Sequence, residues 1–222
     1  MKRIIIFGCS ILVLLVRPAG AQVTAEAVRR AVDRGRDYLL QRQQGDGSWP
    51  EGAHPRGGVT ALVMLALLES GVKPDHPRID HGLRYLRTIR PSGTKLQQGA
   101  NTYVVSLQTM VFCLARPQED LGRIKENVAW LEEAQIKTGA TAGMWDYGTF
   151  KTRGDNSCTQ YALLGLREAA ELEPPELRVK VDPEVWRRVR EHFTKPGSQA
   201  DDGGWGYQGA GGASGSMTAG GI

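Results

Sequence analysis

Gln43 to Pro50 reads QQGDGSWP. Two glutamines close an amphipathic stretch, and small and acidic residues follow. Then comes tryptophan, the bulkiest side chain, in a segment whose glycines and aspartate favour a turn. Upstream, Thr24 to Gln43 sets Val28, Ala31, Val32, Tyr38 and Leu39 at helical spacing, with arginines between them. Downstream, Gly58 to Ser70 reads GVTALVMLALLES. It is apolar nearly all round, which marks a buried helix, and Gly71 ends it. The tryptophan stands at a joint between a charged helix and an apolar one.

The joint recurs. Charged helices are expected near residues 24–43, 77–90, 119–136 and 182–195. Apolar helices are expected near 57–70, 102–115 and 156–170, and a fourth begins at about Ser216. Asp75-His76-Pro77, Asp155-Asn156-Ser157, Asp182-Pro183-Glu184 and Gly215-Ser216 read as helix starts, with capping oxygens or a first-turn proline. No stretch alternates polar and apolar over strand length, so the fold class is all-α. Gly35-Arg36-Asp37-Tyr38-Leu39 returns as Gly82-Leu83-Arg84-Tyr85-Leu86, and the aromatic–leucine pair again as Trp130-Leu131. Thr60, Ser106, Thr159 and Thr218 hold one register on the apolar helices. A period near 50 residues means stacked helical hairpins, none of which buries its apolar face alone.

The tryptophan loops carry a resemblance. Arg34-Gly35, Tyr38-Leu39, Gln43 and Gly47-Ser48-Trp49 resemble the QW motif of the squalene–hopene cyclases and the wider prenyltransferase/squalene oxidase repeat superfamily. Trp130-Leu131, Gln135 and Gly143-Met144-Trp145 resemble a second copy with a longer loop. Gln199, Gly203-Gly204 and Trp205 resemble a third, without the aromatic–leucine pair. His81-Gly82 and Tyr85-Leu86 keep the first half only, because Arg90 stands where glutamine belongs and no tryptophan follows. The resemblance spans nearly all the chain after residue 21. It implies an α/α toroid, or incomplete α/α barrel, of inner apolar and outer amphipathic helices. In that reading the motif is structural. The glutamine amide can donate to orphan carbonyls at its helix end, the glycines turn the backbone, and the ring covers the exposed helix end and fills the wedge between hairpins.

The chemistries known on that fold each lack their residues here. No D-x-D-D acid motif occurs. Asp201-Asp202 lies inside the third loop, where aspartate serves turns. The apolar helices offer only Tyr103, Phe112 and Tyr161 as aromatic faces for a carbocation. Asp155 and Cys158 superficially resemble two ligands of a prenyltransferase zinc site, with one residue too many between them. His54, His76, His81 and His192 fall in loops or on charged helices, so no metal site is expected. Neither Cys113 nor Cys158 lies in a thioester stretch, and no nucleophile elbow, phosphate loop or H-E-x-x-H appears. Glu132-Glu133 and the Glu171/Glu173 pair read as solvated surface. No catalytic residue and no cofactor are assigned. Tyr103, Gln108, Asp155, Asn156 and Gln160 form a candidate cavity rim near the starts of the inner helices. They read either as a ligand-binding rim, since helix N-termini present N–H groups there, or as caps and inter-helix hydrogen bonds needing no ligand.

Met1 to Ala21 reads as a secretory signal peptide. Lys2 and Arg3 precede an apolar run from Ile4 to Val16, and Ala19-Gly20-Ala21 is a small-residue cleavage pattern, with cleavage after Ala21. The run is short of the roughly 20 residues a bilayer needs. Cys9 sits too early in it for a lipid anchor. A secreted or periplasmic location follows, with membrane contact only through an uncleaved signal segment. Removal of Lys2, Arg3 and Arg17 takes Lys+Arg from 28 to 25 against 24 acidic residues. The pI near 9.0 is thus partly the signal's, and no nucleic-acid partner is implied. Cys113 and Cys158 are eight positions out of register on neighbouring helices, roughly 12 Å at the α-helical rise. A disulfide between them is not expected.

Residues 22–222 are read as one toroid domain. Three apolar helices and the start of a fourth are too few to close a ring, and a longer protein with a further C-terminal part is expected. The first functional reading is a non-catalytic scaffold or a ligand- or protein-binding toroid. The alternative is a terpenoid cyclase or prenyltransferase-type enzyme whose catalytic residues lie beyond residue 222. A third is carbohydrate processing on an α/α barrel.

Overall fold

A computed structural model describes residues 23–90, 101–149, 151, 153–209 and 211–221. The expected signal segment, Met1 to Ala21, lies outside them. Regular structure among the described residues is helical: α1 (Ala25–Gln41), α2 (Gly58–Glu69), α3 (Pro77–Arg87), α4 (Asn101–Ala115), α5 (Pro117–Ala134), α6 (Asn156–Ala170), α7 (Pro183–Thr194) and α8 (Gly215–Gly221). A single 3₁₀ turn, Pro175–Leu177, which sequence periodicity misses, joins α6 to α7. Two isolated β-bridges, Trp145 with Asp155 and Gly206 with Gly209, sit in the loops. None of these helices is long and apolar enough to cross a membrane.

The helix starts follow local chemistry. Thr24 caps α1 by accepting from Ala27 N at 3.1 Å. Asp155 and Asp182 cap α6 and α7, accepting from Cys158 N at 2.7 Å and Glu184 N at 2.9 Å. At α3 the cap is His76, whose Nδ1 accepts from Arg78 N at 3.1 Å, with Pro77 in the first helical position. The α2 start has no cap of its own. Glu51, six residues upstream of Gly57, reaches over to accept from Gly57 N at 2.7 and 2.8 Å. A carboxylate there also meets the positive end of the helix dipole.

The apolar helices pack on one another in chain order: α2 on α4, α4 on α6, α6 on α8. The charged helices α1 and α3 lie against α2, and α5 against α4 and α6. Met64, Leu67, Leu83, Leu86, Phe112, Ile124, Leu131 and Leu166 are fully buried between the two sets. Each such side chain contributes about 1.5–3 kcal/mol. Glycine sets two of the close approaches. A Cβ on Gly165 of α6 would meet Ser106 of α4 at 3.1 Å, and one on Gly82 of α3 would meet Met64 Sδ at 2.5 Å. Not every apolar residue is covered. Leu62 of α2 and Leu114 of α4 remain 48% and 41% exposed. α1, strongly amphipathic in sequence, buries none of its residues.

Ion pairs stitch α3 to α5. Arg87 donates to both carboxylate oxygens of the buried Asp120, at 2.7 and 2.8 Å. Arg116 reaches Asp80 at 2.9 Å. The acidic residues read as solvated surface carry partners of their own. Glu133 meets Lys137 and Lys151, Glu171 meets Arg167, and Glu173 meets Arg178. Glu132 instead accepts from Asp182 N at 2.7 Å.

Candidate functional site: the tryptophan loops and a tyrosine-lined groove

The three tryptophan loops share one internal construction. In each, the glutamine Nε2 donates to the carbonyl of the loop glycine: Gln43 to Gly47 at 3.0 Å, Gln135 to Gly143 at 3.3 Å, Gln199 to Gly203 at 2.6 Å. The tryptophan backbone N–H donates to a threonine hydroxyl on the following apolar helix. Trp49 meets Thr60 at 3.0 Å, Trp145 meets Thr159 at 3.1 Å and Trp205 meets Thr218 at 3.1 Å. The recurring threonines of the sequence are thus the acceptors that orient the loops. Ser106, in the same register, donates to Thr102 O within its own helix instead.

The glutamine's role differs from the expectation, whereas the tryptophan does cover a helix end. The glutamine does not tie off its own helix. Its second bond goes to the next-but-one helix: Gln43 to Arg78 O of α3 at 2.8 Å, Gln135 to Val185 O of α7 at 3.1 Å. The indole nitrogen closes the preceding helix. Trp49 Nε1 donates to Leu39 O and Trp145 Nε1 to Leu131 O, both at 2.7 Å. Both rings are buried. In the third loop, Trp205 Nε1 is buried without a partner. The residue four before Gln199 is Lys195, already extended at ψ 150°. Pro196 follows it and disfavours helical backbone there. The equivalent carbonyl thus belongs to extended backbone past the end of α7 rather than to a helical turn.

The half copy is closed by other means. Arg123 of α5 donates to Ile89 O at 2.6 Å and Arg87 O at 3.0 Å, at the end of α3. Gln108 adds a longer bond to Ile89 O, at 3.4 Å. Arg90, in the glutamine's place, pairs with Glu126.

The five rim residues do not share one rim. Gln108 is buried toward α3, as just described. Gln160 faces α8 and lines a cavity of about 650 Å³ between α6, α7 and α8. Asn156 serves the third loop, its Nδ2 donating to Gly206 O at 2.8 Å and its backbone N–H to Tyr207 O at 2.9 Å. Tyr103 and Asp155 do come together. Tyr103 donates to Ser157 Oγ at 2.7 Å, and Ser157 Oγ donates to Asp155 Oδ1 at 2.6 Å.

Tyr103 opens onto a groove of about 380 Å³. Gly58, Val59 and Leu62 of α2 form one wall, and Val104 and Leu107 of α4 another. Tyr161 of α6 and Tyr147 complete it, with His54 and Pro55 at the edge. The Tyr103 ring packs edge-on against Tyr161 at 4.8 Å between centroids and at 5.7 Å from Tyr147. Tyr147 and Tyr207 share a hydroxyl–hydroxyl hydrogen bond of 2.7 Å. Tyr147 and Tyr207 were not among the expected rim residues. Both sit two positions after a loop tryptophan, where Glu51 stands in the first loop. That shared offset was the available signal.

The groove's electrostatics are neutral. Burial holds the Tyr103 and Tyr207 phenols well above the ordinary tyrosine range, so both are protonated donors near neutral pH. Among the described residues no lysine or arginine lines the groove. Asp155 is engaged by the α6 cap and by Ser157. Among the described residues no group of three His, Cys, Asp or Glu side chains is placed for a metal ion. Asp202 accepts from Gly204 N at 2.9 Å, as Asp46 does from Ser48 N, which makes both turn residues. Cys113 and Cys158 are buried free thiols.

Compared with models of known protein families and with curated proteins, the chain matches none.

Proposed function

We propose that the chain is a ligand-binding helical repeat module with no cyclase chemistry of its own. In this reading its hairpins form part of an α/α toroid akin to the squalene-cyclase and prenyltransferase repeats. The basic start, apolar run and cleavage pattern of Met1 to Ala21 support export to the periplasm or beyond. The repeated tryptophan loops support the toroid. The observation that carries the functional reading is the groove between α2, α4 and α6. It has aliphatic walls, three tyrosine rings, a protonated Tyr103 phenol and, among the described residues, no lining lysine or arginine. Its size is at the small end of small-molecule sites. The chemistry suits an uncharged, mainly apolar molecule with a hydroxyl or ether group facing the phenols. A diphosphate or carboxylate would enter without a counter-charge.

Nile red, a neutral apolar dye, tests this. It is expected to bind with enhanced fluorescence and to be displaced by long-chain alcohols better than by the matching carboxylates. Leu62→Glu places a charge in the groove wall at a half-exposed position, so the fold is retained while dye binding is lost. Unchanged binding in that variant at an unchanged melting temperature would remove the groove from the account.

A further inference from the structure

One carboxylate orders the hydroxyl protons beside the groove. Asp155 Oδ1 accepts from the backbone N–H of Cys158 at 2.7 Å and from Ser157 Oγ at 2.6 Å. An amide N–H can only donate and an ionised carboxylate can only accept, so the single Ser157 proton is committed to Asp155. Asp155 is itself held in place. It caps α6, and its own N–H donates to Trp145 O of the second tryptophan loop at 3.0 Å.

Ser157 Oγ is left with lone pairs for its other neighbour. That neighbour is Tyr103 of α4, which donates its phenolic proton to Ser157 Oγ at 2.7 Å. A phenol has one proton, so Tyr103 has none to give to anything else. Burial first, with the Asp155 charge among the further causes, keeps that phenol protonated. The neighbouring Cys158 thiol is a weak donor, so the phenol oxygen keeps its acceptor capacity. What Tyr103 still offers to a guest is a lone pair.

The other two rings of the groove are not ordered in this way. Tyr147 bonds to the Tyr207 hydroxyl, and either can donate. Tyr161 meets Tyr103 edge-on through the rings, with no hydrogen bond fixing its hydroxyl among the described residues.

We propose that the groove selects guests that donate a hydrogen bond: a neutral long-chain molecule carrying a hydroxyl is held at Tyr103 in preference to an ether or ketone of the same size. This rests on the groove being the binding site. An ether or ketone sets an acceptor against an acceptor at Tyr103, and that mismatch costs the bond. A site built for one hydrogen-bond polarity rejects the analogue that lacks the matching group. Ser157 acts through Tyr103 and is a positioning residue.

The test uses the full chain and the displacement of Nile red by decanol, methyl nonyl ether and methyl octyl ketone, which share one heavy-atom count. Decanol is expected to displace the dye at concentrations at least about fivefold lower than the other two. Apolar burial alone does not give that order, because the ether has no hydroxyl to desolvate. In Ser157→Ala the Tyr103 proton is free to turn toward the guest, and the three compounds are expected to converge to within about twofold. Ser157→Thr restores the hydroxyl and is expected to restore the order, and Tyr161→Phe is expected to keep it. Melting temperatures show that each variant is folded. Equal displacement by the three compounds in the unaltered chain overturns the donor requirement and leaves the groove reading standing. A preference for decanol that survives both Ser157→Ala and Tyr103→Phe also overturns it. No dye binding, or dye binding that survives Leu62→Glu, overturns both readings.

Discussion

Trp145 Nε1 donates to Leu131 O at 2.7 Å, so a loop side chain closes the helix that precedes it. Trp49 repeats the contact with Leu39, and Trp205 does not. The three tryptophans therefore differ in worth despite one motif. Trp145→Ala is expected to cost about 3–5 kcal/mol, from lost burial and the cavity left behind. Trp205→Ala, at a half-buried ring with an unpartnered indole, is expected to cost clearly less. Urea unfolding of the two variants compares them, and equal losses would contradict the hierarchy.

The loop glycines divide the same way. All three have φ near +90°, which costs a side chain about 1–2 kcal/mol. Gly47→Ala and Gly143→Ala add a backbone collision to that penalty, whereas Gly203→Ala adds none. The expected order is a small loss of melting temperature at residue 203 and a much larger one at 47 and 143. A Gly203→Ala loss as large as the others would mean that the third loop is already covered.

His192 couples stability to acid. It is buried on α7, its Nδ1 has no partner, and it stands between the second loop and Phe193. Burial first, then the Lys195 charge, lowers its pKa from 6.5 to about 4. Between those values the unfolded chain binds the proton and the folded chain does not. The neutral-state stability is thus present above about pH 6.5 and is lost as pH falls through about 4, by at most about 3 kcal/mol. His192→Phe is expected to unfold with a shallower pH dependence between 7 and 4. Parallel curves would exclude His192 as the source.

The thiols are expected to be silent in the folded chain. Burial, with the Glu168 charge second, pushes Cys113 up to about 12, and burial with the Asp155 charge raises Cys158. The thiolate is the reactive form. In the Cys9→Ser chain a disulfide reagent at pH 8 should release no chromophore until denaturant is added, and then two equivalents.

The helices were legible because their signals are local. Thr24, Asp155 and Asp182 cap where the sequence places oxygens, and the alternation of charged and apolar segments fixes which helices lie in the packed row. The glutamine's partner was not legible, because it depends on which carbonyl lies near the loop. Gln43 finds Arg78 O, 35 residues away, and no spacing rule reaches that far. The groove was half legible. Tyr103 and Tyr161 lie on apolar helices and were visible as aromatic faces. Tyr147, and Tyr207 bonded behind it, come from irregular loops, where only their common offset from a tryptophan marks them. Gln108 and Gln160 were misplaced because helical position alone does not say which neighbour a mid-helix side chain faces.

One carboxylate has a double duty. Asp155 holds the first turn of α6 through Cys158 N and, through Ser157, fixes the phenol of Tyr103. Under the proposed function, occupancy of the groove would be read by a helix end that no ligand touches. A molecule that immobilises Tyr103 should slow amide hydrogen exchange at Cys158, turning the presence of a guest into stiffness at the centre of the packed row.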